Sequence, residues 1–413
     1  PSDASIVSER REIALMEQLM KVVLQGLRSA SYKRMEGRIL SPQLGWLQGC
    51  STAHVGVQLQ VLMQQAARIR HPLYVYYVDL ATFFPSMERG ILIDHERLAG
   101  VPEDLLNLVA AIYGAAEQEG GSAANGAPCR YDSAAGLSDA FANNMGALMG
   151  CVLSPDKAKT FVNSVIAAIH LTVQGPRLWG AAPATQGEAW ERLASFAFAD
   201  DWAGAFVGVE ELRLANALFC CWSVATGQKM GVKCVEKGDA RVLKTGVTGV
   251  NYVGDKLVAA EDPKLTLPDG KPVPFFRHDE VYKHLGIWLR VDAVAGAVFR
   301  KVKGKVAFAM GRLSVLRNAT REEFCLVADA LLGGIVGFYH QSQYLTWCEA
   351  EQLEAAFRRA YNRRFGRPAS SARWPFYTAA EGSRPKRRHA WSVALAALFA
   401  VVQECISEPQ STQ

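Results

Sequence analysis

The sequence predicts an α+β fold, and three observations carry that prediction. Two short runs, Leu73–Val78 and Ala194–Ala199, have strand-like composition, the first β-branched and aromatic, the second alternating bulky and small side chains. Turn signals crowd residues 238–280, notably Pro268-Asp-Gly270, and predict a β-hairpin there. From about residue 295 the apolar rhythm is helical almost to the end. A chain of 413 residues suits two or three packed subdomains.

Taken in order, residues 9–30 carry apolar side chains at helical spacing (Ile13, Leu15, Leu19, Val22, Val23), although the first few also suit a strand. Val55–Ile69 is a second helical stretch, rich in Leu, Val, Met and Gln. The run Leu73–Val78 follows and ends at Asp79. In Gly100–Tyr113, Pro102 and two acids precede an apolar stripe, the signature of a helix start. Residues 115–137 are dominated by Ala, Gly and Ser and are expected to form a loop insertion. A helix is expected after Leu153-Ser-Pro155, with Pro155 in its first turn, and another over 211–225. The second strand-like run enters Asp200 and Asp201, and no internal repeat is present.

Composition excludes several classes. Half of the residues are apolar and 21% are charged, which speaks for a filled core and against a disordered chain. No apolar run approaches the ~20 residues of a membrane helix; the longest, Trp391–Val402, reads as a buried helix. Pro1–Arg10 lack the apolar stretch of a signal peptide and the chain opens without Met, so the expectation is a soluble piece of a longer polypeptide, with no membrane partner. Nine cysteines form no CxxC pair and no Cys/His ligand spacing, which points to reduced thiols in an intracellular compartment rather than to structural zinc. The net charge of +5 is uneven: from Lys301 onward 16 Lys and Arg face 9 Asp and Glu, whereas the first 300 residues carry 29 against 31. A basic C-terminal end suits a polyanion, although a solvated helix face has the same composition.

The chemistry lies in the carboxylates. If the two strand-like runs lie side by side, Asp79 and Asp200 converge at one sheet end with Asp201 next to them. Hard oxygen ligands there suit two Mg²⁺ ions about 3.5–4 Å apart, the arrangement of in-line phosphoryl displacement. An Asp at a strand end also commonly just caps a turn, so the aspartates alone do not decide.

Their surroundings do. Phe198-Ala-Asp-Asp201 resembles the catalytic box of reverse transcriptases, and Asp79-Leu-Ala-Thr-Phe-Phe-Pro-Ser-Met87 resembles their first carboxylate motif. Gly150-Cys-Val-Leu-Ser-Pro155 is similar to the Gly-x-x-Leu-Ser-Pro element of the non-LTR retrotransposon and group II intron branch. Arg11–Lys21 resembles the fingers motif Arg-Pro-Ile…Lys, and Gln48-Gly-Cys-Ser-Thr52 another fingers element. Tyr282-Lys-His-Leu-Gly-Ile287 is similar to the Tyr-Leu-Gly segment near the primer grip. Each motif alone is weak; six in register from about residue 10 to 290 are specific.

The resemblance implies a right-hand polymerase with fingers at 1–72, a palm with an antiparallel sheet at 73–292, and a helical basic thumb at 293–413. The palm would include interleaved fingers elements and the 115–137 insertion. It implies RNA-directed DNA polymerase activity: a DNA or RNA primer extended with dNTPs along an RNA template, with two Mg²⁺ ions or Mn²⁺ in their place. Asp79 and Asp200 would be the main metal ligands, with Asp201 close by and the Leu80 carbonyl as an additional oxygen. Phe84 stands at the steric-gate position, where a ring leaves no room for a 2′-hydroxyl. Arg11, Lys21, Met149 and Gly150 would lie around the incoming nucleotide, and Lys233 would protonate the leaving pyrophosphate.

The departures matter as well. Met149 replaces the usual Gln, Glu12 the Pro after Arg11, and Pro85 departs from the common Ala-Phe-Asp ending. In Gly227-Gln-Lys-Met-Gly-Val-Lys233, Gly231 stands at the Asn of Gly-x-Lys-x-Asn-x-x-Lys and Lys233 comes one position early. Arg358, Arg359, Arg363, Arg364 and Arg367, with a second cluster of Arg384, Lys386, Arg387 and Arg388, would grip nucleic-acid phosphates. A eukaryotic non-LTR element would place the protein in the nucleus, any other origin in the cytoplasm. The alternative is a polymerase-derived domain that binds nucleic acid without catalysing: Met149 and the altered lysine motif favour it, the intact aspartates oppose it. A viral RNA-dependent RNA polymerase shares the palm, but Phe-Ala-Asp-Asp and Phe84 speak against it.

Overall fold

The computed structural model describes residues 18–35, 38–40, 42–47, 50–113, 127–130, 132–133, 136–139, 141–143, 145–148, 150–176, 194–231, 235–237, 240–242, 245–294, 296–316, 318–341, 344–368 and 390–406. The chain divides into two compact units, the first Pro1–Leu47, Tyr74–Thr248 and Glu261–Phe276, the second Gln48–Leu73, Gly249–Ala260 and Arg277–Gln413.

In chain order, α1 (Gln18–Met35) is followed by α2 (Thr52–Ile69), which ends at a left-handed Arg70. Then come β1 (Leu73–Val78), β2 (Leu80–Ala81), the one-turn α3 (Phe83–Ser86), α4 (Arg89–Leu98) and α5 (Glu103–Tyr113). α4 was not expected from the sequence; Glu88 starts it by accepting from the Gly90 and Ile91 amides. Four short strands, β3 (Ala127–Cys129), β4 (Asp132–Ser133), β5 (Gly136–Leu137) and β6 (Phe141–Asn143), pair as β3 with β6 and β4 with β5, so part of the expected loop insertion is ordered ribbon. α6 (Ser154–Thr172) has Pro155 in its first turn. The hairpin β7 (Ser195–Phe198) and β8 (Asp201–Phe206) leads into α7 (Val209–Thr226), and β9 (Lys229–Met230) pairs antiparallel with β2.

β10 (Val235–Lys237) and β11 (Ala240–Val242) form a ribbon, followed by β12 (Gly246–Val253), β13 (Lys256–Ala259) and β14 (Phe275–Phe276). The hairpin expected over 238–280 is β12 with β13, turned at Gly254-Asp255. The Pro268-Asp-Gly270 signal closes a second, shorter antiparallel hairpin, with the Gly270 amide on Leu267 O at 2.9 Å. The Leu267 amide donates to Lys271 O at 2.8 Å and the Val273 amide to Leu265 O at 2.9 Å, with Thr266 bridged to Pro272. The chain ends with β15 (Tyr282–His284), β16 (Ile287–Leu289), α8 (Ala297–Leu313), α9 (Arg321–Tyr339), α10 (Trp347–Phe365) and α11 (Ala390–Ile406).

In the first unit the sheet runs β12–β1–β8–β7, with β1 and β8 antiparallel and β7 and β8 antiparallel. All six β1 residues are buried, as an apolar run covered on both faces requires. Residues 202, 204 and 206 share one face of β8, and Gly204 makes room for its neighbours: a Cβ there would meet the Trp202 ring at 2.2 Å and the Phe206 ring at 2.6 Å. Trp202 stands edge-on to Tyr76 at 5.9 Å and touches Phe219 of α7 at 5.0 Å. Trp222 and Phe161 continue that row of rings to Phe83 of α3. Truncating a buried ring of this kind costs about 3–5 kcal/mol, so the sheet end that follows β1 is anchored from below.

In the second unit α8 packs on α9 and α10, and α11 on α9 and α10. Phe324, Ala328, Leu332 and Val336 recur every four residues on the buried stripe of α9. α9 and α10 each begin with a reciprocal capping box, Thr320 with Glu323 and Thr346 with Glu349. No described helix is long and apolar enough to cross a membrane.

Candidate active site

β7 and β8 are joined by two residues only, Ala199 and Asp200, with Phe198 paired to Asp201. Such a turn needs a left-handed first residue, and Ala199 supplies it at φ +63°. Across the sheet Val78 pairs with Trp202. Continuing that register by one residue sets Asp79 against Asp201, with Asp200 in the adjoining turn. Acids 121 and 122 positions apart therefore meet at one sheet end. A one-residue slip would send the two strands' side chains to opposite faces.

The backbone of Asp79 is tied on both sides. Its N–H donates to Thr245 Oγ1 at 3.2 Å, and its C=O accepts from the Gly231 amide at 2.7 Å. Pairing of Leu80 with Met230 and of Ala81 with Lys229 lays the Gly227–Gly231 segment along this strand end. A Cβ on residue 231 would stand 2.9 Å from Asp79 Oδ2. The glycine found where the resembling motif has Asn thus leaves room beside a candidate metal ligand. Lys233 lies outside the described residues.

Phe84 is half-buried in α3, which starts at a left-handed Thr82. Its ring meets Phe83 at 5.5 Å and Trp46 at 6.0 Å, both edge-on, and Trp46 also lies 6.4 Å from Phe198. The Ala147 amide donates to Phe84 O and the Gly146 amide to Met87 O, each at 2.8 Å. Buried Arg89 donates to the carbonyls of Gly146 (3.1 Å), Met145 (3.2 Å) and Tyr113. These bonds tie the segment ahead of Gly150 to α3 and α4. Gly150 is exposed at φ +99°, and Met149 lies outside the described residues.

α6 carries a buried ionic set directly after the Leu-Ser-Pro element. Lys157 Nζ meets Glu96 at 2.6 Å, Lys159 Nζ meets Asp156 at 2.7 Å, and Arg28 Nε reaches the same Asp156 at 2.6 Å. Lys157, Glu96, Lys159 and Asp156 are almost wholly out of water, Arg28 only partly, so removing one buried partner strands the other and the set fixes the seating of α6. Lys21 is half-buried in α1, and Arg11 lies outside the described residues.

Sequence reasoning missed Gln43. The side chain is fully buried. Its Oε1 accepts from the Ala199 amide at 2.9 Å and the Gly45 amide at 3.1 Å, and its Nε2 donates to Ala199 O at 3.0 Å. Main-chain bonds flank it, Leu44 N to Ala197 O at 2.8 Å and Ala197 N to Pro42 O at 2.9 Å. No periodicity marks such a residue; the only sequence hint is the Pro42-Gln-Leu-Gly45 punctuation around it.

In the second unit the arginines of α10 divide by partner. Arg359 and Arg363 are exposed. Arg358 pairs with Glu351 at 3.6 Å, and Arg364 Nε donates to Leu316 O at 2.7 Å, with a further bond to Ala319 O at 3.2 Å. Arg367 lies over the Tyr361 ring at 5.7 Å. Glu354 is buried and accepts from the Ala390 amide at 2.8 Å. Arg384, Lys386, Arg387 and Arg388 lie outside the described residues.

Among the described residues no three His, Cys, Asp or Glu side chains form a metal-binding set. The donors at the sheet end still suit Mg²⁺, which is habitually held through one or two carboxylates plus substrate phosphates rather than by a closed protein cage. Any side chain at residue 231 would crowd Asp79 Oδ2, which its Cβ would approach to 2.9 Å.

The chain matches no protein-family profile and no curated protein. Similar solved structures include apo telomerase from Candida tropicalis, with a TM-score of 0.41 and 9% identity over 92% of this chain and 57% of that one. Telomerase from the same organism in complex with a TWJ fragment of telomeric RNA gives 0.37 and 10% over 94% and 55%. Telomerase from Candida albicans with the same kind of fragment gives 0.30 and 9% over 94% and 53%. The chain spans about half the length of these structures.

Proposed function

We propose that the chain is an RNA-directed DNA polymerase of the non-LTR retrotransposon and group II intron-like kind, extending a DNA or RNA primer with dNTPs. The observation that carries this reading is the register that sets Asp79 against Asp201, with Asp200 in the turn. Asp79 and Asp200 would hold Mg²⁺, with Asp201 nearby supporting the site electrostatically; when bound, the ion neutralises charge on phosphoryl oxygens and activates the attacking hydroxyl. Phe84 would occupy the space of a 2′-hydroxyl and so select deoxynucleotides by exclusion. The Gly231 gap keeps a side chain off Asp79 Oδ2. Arg359 and Arg363, the exposed pair on α10, would neutralise backbone phosphates without reading sequence.

The test is Mg²⁺-dependent primer extension on an RNA template. Wild type is expected to extend the primer. Asp200→Asn is expected to melt like wild type and to extend nothing measurable, since it removes one negative ligand. Extension by Asp200→Asn at the wild-type rate would sink the assignment. Met149 in place of the usual Gln favours a second reading, a polymerase-derived domain that binds nucleic acid only. It predicts a wild type that binds template–primer and leaves it unextended.

A further inference from the structure

We propose that Gln43 is a positioning residue: its buried amide sets the Ala199–Asp200 turn and thereby where the Asp200 and Asp201 carboxylates stand. This rests on the carboxylate site proposed above and extends it to a residue 156 positions upstream.

The turn cannot hold itself cheaply. A non-glycine residue in the left-handed region costs about 1–2 kcal/mol, and short hairpins of this kind normally place Gly, Asn or Asp there. Ala199 has none of the side-chain chemistry that compensates. Its N–H and C=O are instead both paired to one side chain, at 2.9 and 3.0 Å. Only a carboxamide presents a donor and an acceptor side by side in the manner of a peptide group. Glutamate would keep the acceptor and lose the donor; methionine would keep the length and lose both.

The clasp is rigid on its own side as well. Gln43 is bridged in parallel to Ala197. Gly45 lies so close that a Cβ would come within 2.4 Å of the Ala199 nitrogen. Trp46, itself left-handed at φ +55°, then lies against Phe198 and Phe84. One short segment therefore fixes the residue before the acids and leans on the ring at the candidate sugar gate.

The experiment uses Mn²⁺ as a spectroscopic probe, its binding followed by electron paramagnetic resonance alongside thermal melts. Wild type, Asp200→Asn, Gln43→Met and Gln43→Met with Ala199→Gly are compared on the full chain. Asp200→Asn is expected to weaken Mn²⁺ binding, identifying the site. Gln43→Met is expected to raise the Mn²⁺ Kd about tenfold. Glycine adopts φ +63° without strain, so the double variant is expected to recover to within about threefold of wild type. That rescue is what a merely structural role would not produce, because a second truncation cannot restore lost packing.

Wild-type Mn²⁺ affinity in Gln43→Met overturns the proposal, and so does an affinity loss that Ala199→Gly does not relieve. Should Gln43→Met lack a cooperative melt, Gln43→Asn, which withdraws the carboxamide by one methylene and adds no charge, is read in its place with the same expectations. A wild type in which Asp200→Asn leaves Mn²⁺ binding unchanged overturns it too. Mn²⁺ binding that follows the expected pattern without primer extension sinks the polymerase reading alone and leaves the role of Gln43 standing.

Discussion

Gly231→Ala isolates one oxygen of the site. The added Cβ would lie 2.9 Å from Asp79 Oδ2, against an ordinary contact distance that begins at 3.4 Å. It would lie 3.5 Å from Asp79 O and 3.7 Å from Ala81 Cβ, both unstrained. The carboxylate is the flexible partner, so it retreats by about 0.5 Å while the backbone stays. A misplacement of 1 Å in a reacting constellation costs about a hundredfold, so half of that is expected to cost roughly tenfold in kcat. That corresponds to about 1.4 kcal/mol of barrier. Stability should not fall, because Gly231 is not in the left-handed region and losing a glycine restricts the unfolded chain. The assay is single-nucleotide extension at saturating template–primer, with melts of the same samples. Gly231→Asn is the sharper arm: the motif resemblance expects a gain from restoring Asn, whereas the geometry expects a loss. A wild-type kcat in Gly231→Ala, or a rate gain in Gly231→Asn, would refute the reasoning.

Phe84→Ala should admit ribonucleotides while deoxynucleotide use changes less, and a wild type that already incorporates both equally would make Phe84 a packing residue. Arg359→Ala with Arg363→Ala, four apart on one face of α10, should flatten the salt dependence of template–primer binding by up to two contacts of about −0.9 each; parallel salt lines would count against phosphate contacts there. Burial pushes the His284 imidazole down to about 3, so the folded protein refuses a proton that the unfolded chain takes up near pH 6.5. The histidine therefore costs nothing above pH 6.5 and destabilises progressively as pH falls from 6.5 toward 3, by about 1 kcal/mol per pH unit. Urea melts between pH 7 and 5 should show a shallower decline for His284→Leu than for wild type, and equal slopes would count against this burial.

The sequence made the strand ends legible because the physics there is local. Leu73–Val78 and Ala194–Ala199 have strand composition over a few residues, and an aspartate directly follows each. The pairing of Val78 with Trp202 was not legible, since register is decided by which side chains fill the space under the sheet, among them the Trp202 and Phe206 rings around Gly204. Pro268-Asp-Gly270 was a real hairpin turn: buried Leu265 and Leu267 alternate with exposed Lys264 and Thr266, and this arm pairs with Lys271–Val273 over a few residues only. Arg358 and Arg359 look alike in sequence; only packing sends one to Glu351 and leaves the other in water. Gln43 was invisible for the same reason, a side-chain-to-main-chain bond that leaves no periodic trace.

The distance along the chain between Gln43 and Ala199 also bears on how the protein is made. A ribosome adding 5–20 residues per second synthesises Ala199 about 8–30 s after Gln43. Throughout that interval the amide lacks its distant partner, Ala199, and the segment that later clasps the hairpin has nothing to clasp. Loop closure over 156 residues must also be completed before the contact repays its entropy. A nascent chain released before β7 emerges therefore carries Asp79 but neither the turn nor the acids Asp200 and Asp201.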